Sequence, residues 1–594
     1  MGYPDKFSQR FWDKNGVVKG CAMKYPPMGL SLLFTVTFVC LIIKYHSKTI
    51  IMNTLLRKTR DFIFAQQAGI ISSTILISGM LLIARIFGFA RYRVLNGYFT
   101  KEQLDLFYAA FRIPDFVFEL LITGALTATF IPFYLKFSRD KEKQSAITSS
   151  IINLITIIMV ALILVLFLFM PWVVRLVTPG FNEDQLAQVI MLSRMLLVGQ
   201  LPFLVFGNFL TGISQAHKSF FIPSLAPVLY NIAIVVVTVI LAPTYGIQST
   251  VFGVIAGSIS FFLIQLLILH RIEFKYQPIL QYLKEIREFF RIIVPRILTV
   301  FAAQIEATID LSLATLLSQG SYTIFYLAQH LQLLPVSIIG MAFGQASLPY
   351  LAEMFQEKKI EEMKKIILDS FNNLFFITVP IAGFFIVNRT AMVRLVYGGA
   401  KFDWDATVLT ALTMSFFCIS LPFHSVYYFL TRCFYATLDS KTPFVVSVLS
   451  IALNTILSLL VVVVFHFPVW ALGITFSITI IIQVTVLFIL FVIRIKGLDL
   501  RDMLIEFSKV MIAAALASII TFDVRRVLDG LIFDTTRTLN LLALMILSFG
   551  IMVSVYIFAS WTLDARGLYL VSRAMFRFRQ IQRKAVEMFT GIET

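Results

Sequence analysis

The chain has 594 residues, of which 58% are apolar and only 14% are charged, whereas a soluble domain carries about 25% charged residues. So much apolar surface, with 59 phenylalanines, excludes a cytosolic enzyme, a disordered chain and a secreted disulfide scaffold, and it indicates a polytopic membrane protein. The net charge of +17 does not indicate nucleic-acid binding, because Lys and Arg lie in short clusters between apolar segments, as in cytoplasmic loops.

Residues 1–68 are predicted to be an extension outside the core of the protein. Their apolar stretch, Met28–Ile43, is at the short limit for a membrane span, and basic residues on both sides leave its orientation unspecified. We expect either an interfacial or signal-like segment or an upstream start codon, with Met52 as the working start.

From residue 69 onward, apolar stretches long enough to cross a bilayer as helices alternate with short polar loops. Fourteen spans are predicted, near residues 69–93, 104–136, 146–177, 186–215, 221–242, 246–270, 291–318, 322–350, 367–396, 406–436, 442–466, 469–493, 503–529 and 538–563. Prolines predict kinks at Pro114, Pro202, Pro335 and Pro422. Of these, Pro114 and Pro335 are expected to act as hinges together with Gly124.

The distribution of basic residues predicts the orientation. Lys and Arg cluster before the first span, in the loops that follow even-numbered spans and in the tail 564–594, whereas the alternate loops are poorer in them. By the positive-inside rule, both ends of the fourteen-span core are cytoplasmic. The expected location is therefore the cytoplasmic membrane, where the same clusters favour anionic lipid headgroups.

An internal repeat divides the spans into two halves. Matching residues recur at an offset near 220, namely Tyr108 with Tyr326, Arg112 with His330, Pro223 with Pro443 and Asn231 with Asn454. Six helices return the chain to the same side, so the repeat predicts parallel lobes of helices 1–6 (69–270) and 7–12 (271–493), followed by helices 13–14 (494–563). This is a transporter architecture with the substrate site between the lobes; coincidental similarity between apolar helices is the alternative.

Ionisable residues inside spans are costly and are candidates for function. Those of the first two spans that we consider are Arg85, Arg91, Arg93, Asp105, Arg112, Asp115 and Glu119. One interpretation is an internal ion-pair cluster, with Arg85, Arg91 and Arg112 against the three acids, that fixes the packing of a lobe. The other is a substrate site, and the two are compatible.

Span seven carries Glu306 and Asp310, one helical turn apart on one face. With the oxygen atoms of Asn454 and Ser458, these carboxylates suggest a sodium or proton site, the alternative being an ion pair with Arg296 or a base on another helix. Taken alone, His330 and His424 are typical of satisfied core histidines. No nucleotide-binding loop, dinucleotide fingerprint or zinc-protease helix occurs, so no cofactor is expected and transport energy has to come from an ion gradient, the membrane potential or the substrate gradient.

Several segments are similar to the MurJ/MviN family of lipid II flippases, in the right order and spacing from about residue 69 to 500. They are Ala84-Arg85-Ile-Phe-Gly88-Phe-Ala-Arg91, Asp105-Leu-Phe-Tyr-Ala-Ala-Phe-Arg112-Ile-Pro114-Asp, Gly124-Ala125, Phe130-Ile-Pro132, Pro179-Gly180-Phe181, Ile222-Pro223-Ser-Leu-Ala226-Pro227-Val-Leu-Tyr-Asn231 and Cys433-Phe-Tyr435-Ala-Thr-Leu-Asp-Ser-Lys441-Thr-Pro443. The resemblance implies the fold of the multidrug/oligosaccharidyl-lipid/polysaccharide exporters, with two six-helix lobes and a groove formed with the last two helices.

The resemblance also implies a cationic cavity that binds the pyrophosphate and sugar–peptide head of lipid II. Arg85 and Arg91 match two essential arginines of the family and Asp105 matches an acid, whereas Tyr92, Phe118, Thr123 and His330 replace charged residues of the family pattern. The substrate-binding set implied is Arg85, Arg91, Arg112, Asp105 and His330. Asp310 and Asn454 match positions that look like sodium ligands, Thr475 is a further candidate, and Ser458 stands where an acid is expected.

The function expected is therefore that of a transporter and not an enzyme, a lipid II flippase that works by alternating access. Its partners would be lipid II or a related polyprenyl-pyrophosphate glycan, membrane lipids and cell-wall synthesis proteins. The nearest alternatives are export of another lipid-linked oligosaccharide and cation-coupled drug antiport on the same fold. A membrane enzyme for polyprenyl phosphates, which would need acidic metal-binding loops, and a non-transporting scaffold are the other classes.

Overall fold

The computed structural model describes residues 70–122, 130–270, 274–495, 497, 500–531, 533–534 and 537–569. The regular elements in these ranges are all helices, and the prediction of an all-α polytopic protein is confirmed. The predicted extension 1–68, the predicted hinge at Gly124 and most of the basic tail lie outside the described residues.

Eight helices form the N-terminal half. They are α1 (Ile70–Tyr98), α2 (Lys101–Ile122), α3 (Phe130–Lys136), α4 (Lys141–Val177), α5 (Glu183–Gly199), α6 (Leu201–Ala216), α7 (Phe221–Tyr245) and α8 (Gln248–Leu266). Side-chain caps define several starts. Asp140 accepts a hydrogen bond from the backbone of Lys143 at the start of α4, and Asn182 forms a reciprocal capping box with Gln185 at the start of α5.

Eight further helices form the C-terminal half, and two complete the described chain. The eight are α9 (Leu283–Ala314), α10 (Ser321–Pro335), α11 (Ala342–Gln356), α12 (Ile360–Val387), α13 (Arg389–Tyr397), α14 (Trp404–Ala436), α15 (Lys441–Leu459) and α16 (Trp470–Ile495). The last two are α17 (Leu500–Leu531) and α18 (Thr538–Thr562). Each of the fourteen predicted spans overlaps one or two of these helices.

Several predicted spans are divided. The span predicted at 186–215 is two helices that meet at Gln200, one residue before the chain reaches Leu201-Pro202. The span predicted at 322–350 is interrupted after Pro335 by a wider, π-helical turn, Val336–Met341. In contrast, α2 and α14 continue through Pro114 and Pro422. A proline removes one backbone donor, and a helix that is packed on both sides tolerates that loss without ending.

The same packing recurs in both halves. In the N-terminal half α2 packs on α5, α6 on α8, and α7 on α8; in the C-terminal half α10 packs on α14, α14 on α16, and α15 on α16. These are the contacts of the second with the fourth span, the fourth with the sixth, and the fifth with the sixth, in each half. The helices α17 and α18 pack on each other and on α12.

Eleven helical segments of the described chain are long and apolar enough to cross a membrane. Their outward side chains are apolar, as on α4, where Leu168 is 70% and Trp172 77% exposed, and lipid chains would cover them. The long helices α1, α2 and α9 are not among the eleven, and these three carry the charges of the first, second and seventh predicted spans. The charged helices are those that line the interface between the halves.

Candidate functional site

At one end of the interface, the gate end, the two halves are joined through Asp105. This residue on α2 is 2% exposed, and its carboxylate accepts hydrogen bonds from the backbone N–H groups of Gly320 (2.6 Å) and Thr323 (2.7 Å). Gly320 precedes the first residue of α10, so an acid of one half caps a helix of the other. The helix dipole favours a negative charge at that position.

Further contacts surround this cap and complete what we call the gate. Lys101 forms an ion pair with Asp403 (3.0 Å), and its backbone carbonyl accepts a hydrogen bond from the hydroxyl of Thr323 (3.0 Å). The side-chain amide of the buried Asn96 donates to the carbonyl of Tyr397 (2.8 Å). Each contact joins α1 or α2 to the C-terminal half, so the gate end is closed.

Two glycines allow the backbones of the halves to meet at the gate. The N–H of Gly180 donates to the hydroxyl of Thr315 (3.1 Å), and a Cβ at Gly180 would overlap the Thr315 carbonyl. A Cβ at Gly399 would overlap the backbone of Asn96 in the same way. Any larger side chain at either position would separate the halves.

Directly inside the gate, two aromatic rings stack across the interface. They occupy equivalent positions in the internal repeat. Tyr108 of α2 and Tyr326 of α10 lie with ring centroids 4.3 Å apart and planes at 21°. Asp105 and its partner Thr323 are separated by the same 218 residues as Tyr108 and Tyr326. The axis that relates the halves therefore runs through the gate, with one equivalent pair per helical turn.

The next layer inward is a group of basic side chains, which we call the central cluster: Arg85, Arg91, Arg112 and His330. Arg112 lies seven residues, or about 10 Å of helix rise, beyond Asp105. Its guanidinium donates to the Thr308 hydroxyl (3.0 and 2.8 Å) and to the Gln304 carbonyl (2.8 Å) of α9, and lies 3.9 Å from Asp115.

The other members of the central cluster lie on α1 and α10. Arg91 packs over the ring of Tyr92, with 4.8 Å from its guanidinium carbon to the ring centroid. Arg85 and His330 are exposed, and the charges of Arg91, Arg112 and Arg85 all act on His330. Although Arg85 and Arg91 are six residues apart, both contribute to one positive region at the interface.

The structure separates Asp105 from the arginines with which the ion-pair interpretation grouped it. Within the described residues, Asp105 bonds to α10 at the gate, whereas Asp115 is the acid beside Arg112. The backbone N–H groups of α10 satisfy the carboxylate in place of a guanidinium. The four residues of the central cluster, in contrast, lie together.

One acid of span seven, Asp310, joins a second cluster with side chains of α15 and α16, and Glu306 is not part of it. The amide of Asn454 donates to Asp310 (2.8 Å), and Ser458 lies 3.5 Å from the same carboxylate oxygen and 2.9 Å from the hydroxyl of Thr475. All four side chains are buried, and the Oδ1 atom of Asn454 has no hydrogen-bond partner. We call these four residues the polar cluster. Its carboxylate, amide and hydroxyl oxygens are the hard ligands that sodium accepts.

The sequence analysis did not identify four residues that lie at the interface, namely Lys101, Asp403, Gly180 and Thr315. Asp403 carried a local signal, because it precedes the apolar run of α14 as its N-cap. Its pairing with Lys101, 302 residues away, depends on how the halves meet, which no local pattern specifies.

A family model described as lipid II flippase MurJ matches residues 98–543, about three quarters of the chain. The curated relatives include the lipid II flippase MurJ of Burkholderia cenocepacia, 27% identical over 62% of this chain and 73% of the relative. They also include the probable lipid II flippase MurJ of Borreliella burgdorferi, 25% identical over 74% of this chain and 87% of the relative.

Two solved structures show that the fold is shared. A lipid II flippase MurJ in an inward closed conformation superposes with a TM-score of 0.67 at 23% identity, over 81% of this chain and 98% of that chain. An inward-facing transporter of the multidrug resistance MATE family and MOP superfamily gives a TM-score of 0.60 at 16% identity, over 72% of this chain and 98% of that chain. The comparison with the first structure is the better of the two, and it agrees with the family model.

Proposed function

Since this chain belongs to the lipid II flippase MurJ family, we infer that it is a lipid II flippase. It moves the undecaprenyl-pyrophosphate-linked peptidoglycan precursor across the cytoplasmic membrane by alternating access. The observation that carries this function is the central cluster, four cationic or titratable side chains between two halves that are closed at one end. Movement of a lipid across a bilayer is transport, and no chemical conversion of the lipid is proposed.

The chemistry of the central cluster suits a diphosphate head. A diphosphate cannot cross about 30 Å of hydrocarbon unaided, since burial of an unpaired charge is prohibitive. The guanidinium groups of Arg85 and Arg91 offer paired N–H donors that match phosphate oxygens. The polyprenyl tail can remain in the lipid while the head occupies the space between the halves.

The gate defines one of the two states that alternating access requires. With Asp105 bonded to α10 and Lys101 paired with Asp403, the substrate cannot leave at the gate end. Translocation requires these bonds to break while the halves close at the other end. These bonds are few and the side chain of Asp403 is exposed, so the step is proposed to be reversible.

The gate end is assigned to the outside by the distribution of basic residues. The loops at the opposite end, after α3, α8, α11 and α16, are richer in Lys and Arg than the loops at the gate end, which favours the cytoplasm for the opposite end. In this orientation the closed gate faces outward and the central cluster receives lipid II from the cytoplasmic leaflet. Anionic membrane lipids and cell-wall synthesis proteins are the other partners proposed.

The polar cluster is proposed to bind a monovalent cation, sodium or a proton, that biases the exchange between states. Asp310 would supply the charge, and Asn454, Ser458 and Thr475 the neutral oxygens. Sodium at fixed pH should raise the thermal unfolding midpoint of the wild type but not of Asp310→Asn. If only a change of pH shifts the wild-type midpoint, the cation is a proton; a midpoint that responds to neither contradicts the site.

The functional test is replacement of an essential host flippase. Cells that are depleted of their own MurJ and supplied with this chain should grow, and lipid II should not accumulate on the cytoplasmic side of their membrane. If the chain reaches the membrane at normal abundance and another polyprenyl-linked oligosaccharide is exported in place of lipid II, the substrate assigned here is wrong.

A further inference from the structure

His330 can gain or lose a proton near neutral pH, whereas Arg112, its counterpart in the other half, cannot. The repeat places it at the position of Arg112, and both residues lie in the central cluster. Arg112 is charged at any physiological pH, whereas a histidine gains or loses its charge near neutrality. The two halves therefore present one permanent and one conditional positive charge to the same space.

The hydrogen bond of His330 fixes how its ring meets a ligand. The Nδ1 atom lies 2.9 Å from the carbonyl oxygen of Tyr326, and because a carbonyl only accepts, Nδ1 carries a proton. In the neutral ring Nε2 is then an acceptor, which repels a phosphate oxygen. In the protonated ring Nε2 becomes a donor, which binds one.

The ring of His330 has more cations than carboxylates around it. Three guanidinium groups act on the ring, and one carboxylate, Asp115, lies beside one of them. The titratable or charged groups that face the ring or its immediate partners lie on five helices. They are Arg85, Arg91 and Tyr92 of α1, Tyr108, Arg112, Asp115 and Glu119 of α2, Tyr230 of α7, Tyr326 of α10 and Tyr397 of α13. An anion placed among them reverses the balance, because a nearby negative charge stabilises the protonated imidazole.

We propose that His330 takes up a proton from water when the diphosphate head of the lipid binds in the central cluster, so that substrate binding and proton uptake are coupled at this residue. The proton adds to Nε2, which then donates to a phosphate oxygen, and it returns to water when the lipid leaves. This inference rests on the proposed function, since the diphosphate supplies the charge that retains the proton. His330 then binds a phosphate oxygen only when its ring is protonated.

The coupling predicts a pH dependence of affinity with a definite sign. Because the bound state holds more protons, lipid binding should strengthen as the pH falls through neutrality, by up to about tenfold per pH unit. Both phosphates of a polyprenyl-diphosphate sugar are esterified and retain only strongly acidic groups, so the lipid itself does not titrate there.

The test is titration calorimetry of lipid II into the purified full chain in nanodiscs, in HEPES and in Tris, whose protonation enthalpies differ. The wild type should take up a substantial fraction of one proton per lipid bound. His330→Gln should bind more weakly with no uptake, and His330→Arg should bind with no uptake and no pH dependence. His424→Gln is the matched control, because His424 is a buried histidine on α14 that stacks on Tyr428, and it should retain wild-type uptake.

The outcomes separate this inference from the function on which it rests. Lipid II binding by the wild type without proton uptake, or undiminished uptake by a folded His330→Gln, would overturn the coupling and leave the flippase intact. Failure of the wild type and of His330→Arg to bind lipid II at any pH would overturn the proposed function, and the coupling with it.

Discussion

The proposed recognition of a diphosphate depends most on two arginines of α1. Arg85→Ala and Arg91→Ala should each lower the affinity for lipid II at unchanged membrane abundance. A charge-assisted hydrogen bond contributes about 1.5–3 kcal/mol, which corresponds to roughly tenfold or more in affinity. Lysine should substitute poorly at either position, because a point charge lacks the paired donors of the guanidinium.

The measurement is binding of lipid II to purified variants, with Arg175→Ala as the control. Arg175 is exposed and pairs with Glu183 at the surface, far along the chain from the central cluster, and its loss should leave affinity unchanged. If Arg85→Ala and Arg91→Ala bind as tightly as this control, the two arginines do not contact the substrate.

The sequence identified the residues of the central cluster but not all of their contacts. Charges inside apolar spans are informative because they are costly in lipid, and this singled out Arg85, Arg91 and Arg112. Asp105 was grouped with them by its position on α2, yet its partners are backbone N–H groups of α10. Backbone partners leave no mark in the sequence, so contacts of that kind could not be predicted.

At the scale of helices, the ends of α15 and α16 are joined by Asp439. Its carboxylate accepts from the N–H (3.0 Å) and hydroxyl (2.7 Å) of Thr442 and from Arg494 (2.6 Å). Partial burial alone would raise the pKa of Asp439, but these hydrogen bonds and the charge of Arg494 outweigh it and lower the pKa below its usual value.

The lowered pKa predicts how stability depends on pH. The stabilisation from Asp439 is fully present above the unfolded pKa of about 4 and is lost as the pH falls through the lower folded value. Near neutral pH, Asp439→Ala should destabilise by about 1 kcal/mol, and Asp439→Asn, which keeps an acceptor, by less. Thermal unfolding at pH 7 and at the lowest tolerated pH measures this; a difference between wild type and Asp439→Ala that grows on acidification would contradict it.

The close approach of the two halves at Gly180 leads to a second prediction at the scale of helices. Gly180→Ala should lower the unfolding midpoint, since its Cβ would overlap the Thr315 carbonyl and overpacking of this kind costs about 1–3 kcal/mol. Gly550→Ala is the control, because α18 leaves open space there and alanine is the better helix former. Equal effects of the two substitutions would show that the halves do not meet at Gly180.

Helices were easier to predict than their interruptions. Each predicted span coincides with one or two helices, and eleven helical segments of the described chain are long and apolar enough to cross a membrane, because about 20 apolar residues in a row have few alternatives to a membrane helix. Kinks were predicted at Pro202 and Pro335, where the structure has the break between α5 and α6 and the π-helical turn, but the form of each interruption was not predicted. Proline marks a weak point in a helix, but packing decides whether the helix ends there, as the continuous α2 and α14 show.

At the scale of the whole molecule, the proposed orientation can be tested with single cysteines in a chain whose native cysteines are replaced. Lys141, Lys359 and Asp184 are all exposed. Positions 141 and 359 should react with an impermeant thiol reagent only from the cytoplasm, and position 184 only from outside. Labelling of position 141 from outside the cell would reverse the orientation.

The internal repeat accounts for which residues face each other across the interface between the halves. Equivalent residues meet across the interface in successive turns of α2 and α10, first Asp105 with Thr323 and then Tyr108 with Tyr326, while Arg112 and His330 follow in the central cluster. The offset of 218 residues was visible in the sequence. That these equivalents touch could be learned only from the packing of the halves, because a repeat specifies correspondence and not distance.

The most direct test of the flippase function is translocation of labelled lipid II in proteoliposomes that contain only the purified chain. The wild type should carry lipid II across the bilayer, Arg91→Ala should fall to the rate of protein-free vesicles, and Arg175→Ala should match the wild type. Folded wild-type protein that leaves lipid II in its original leaflet, or Arg91→Ala that carries it at the wild-type rate, would contradict the function and the role of the central cluster, respectively.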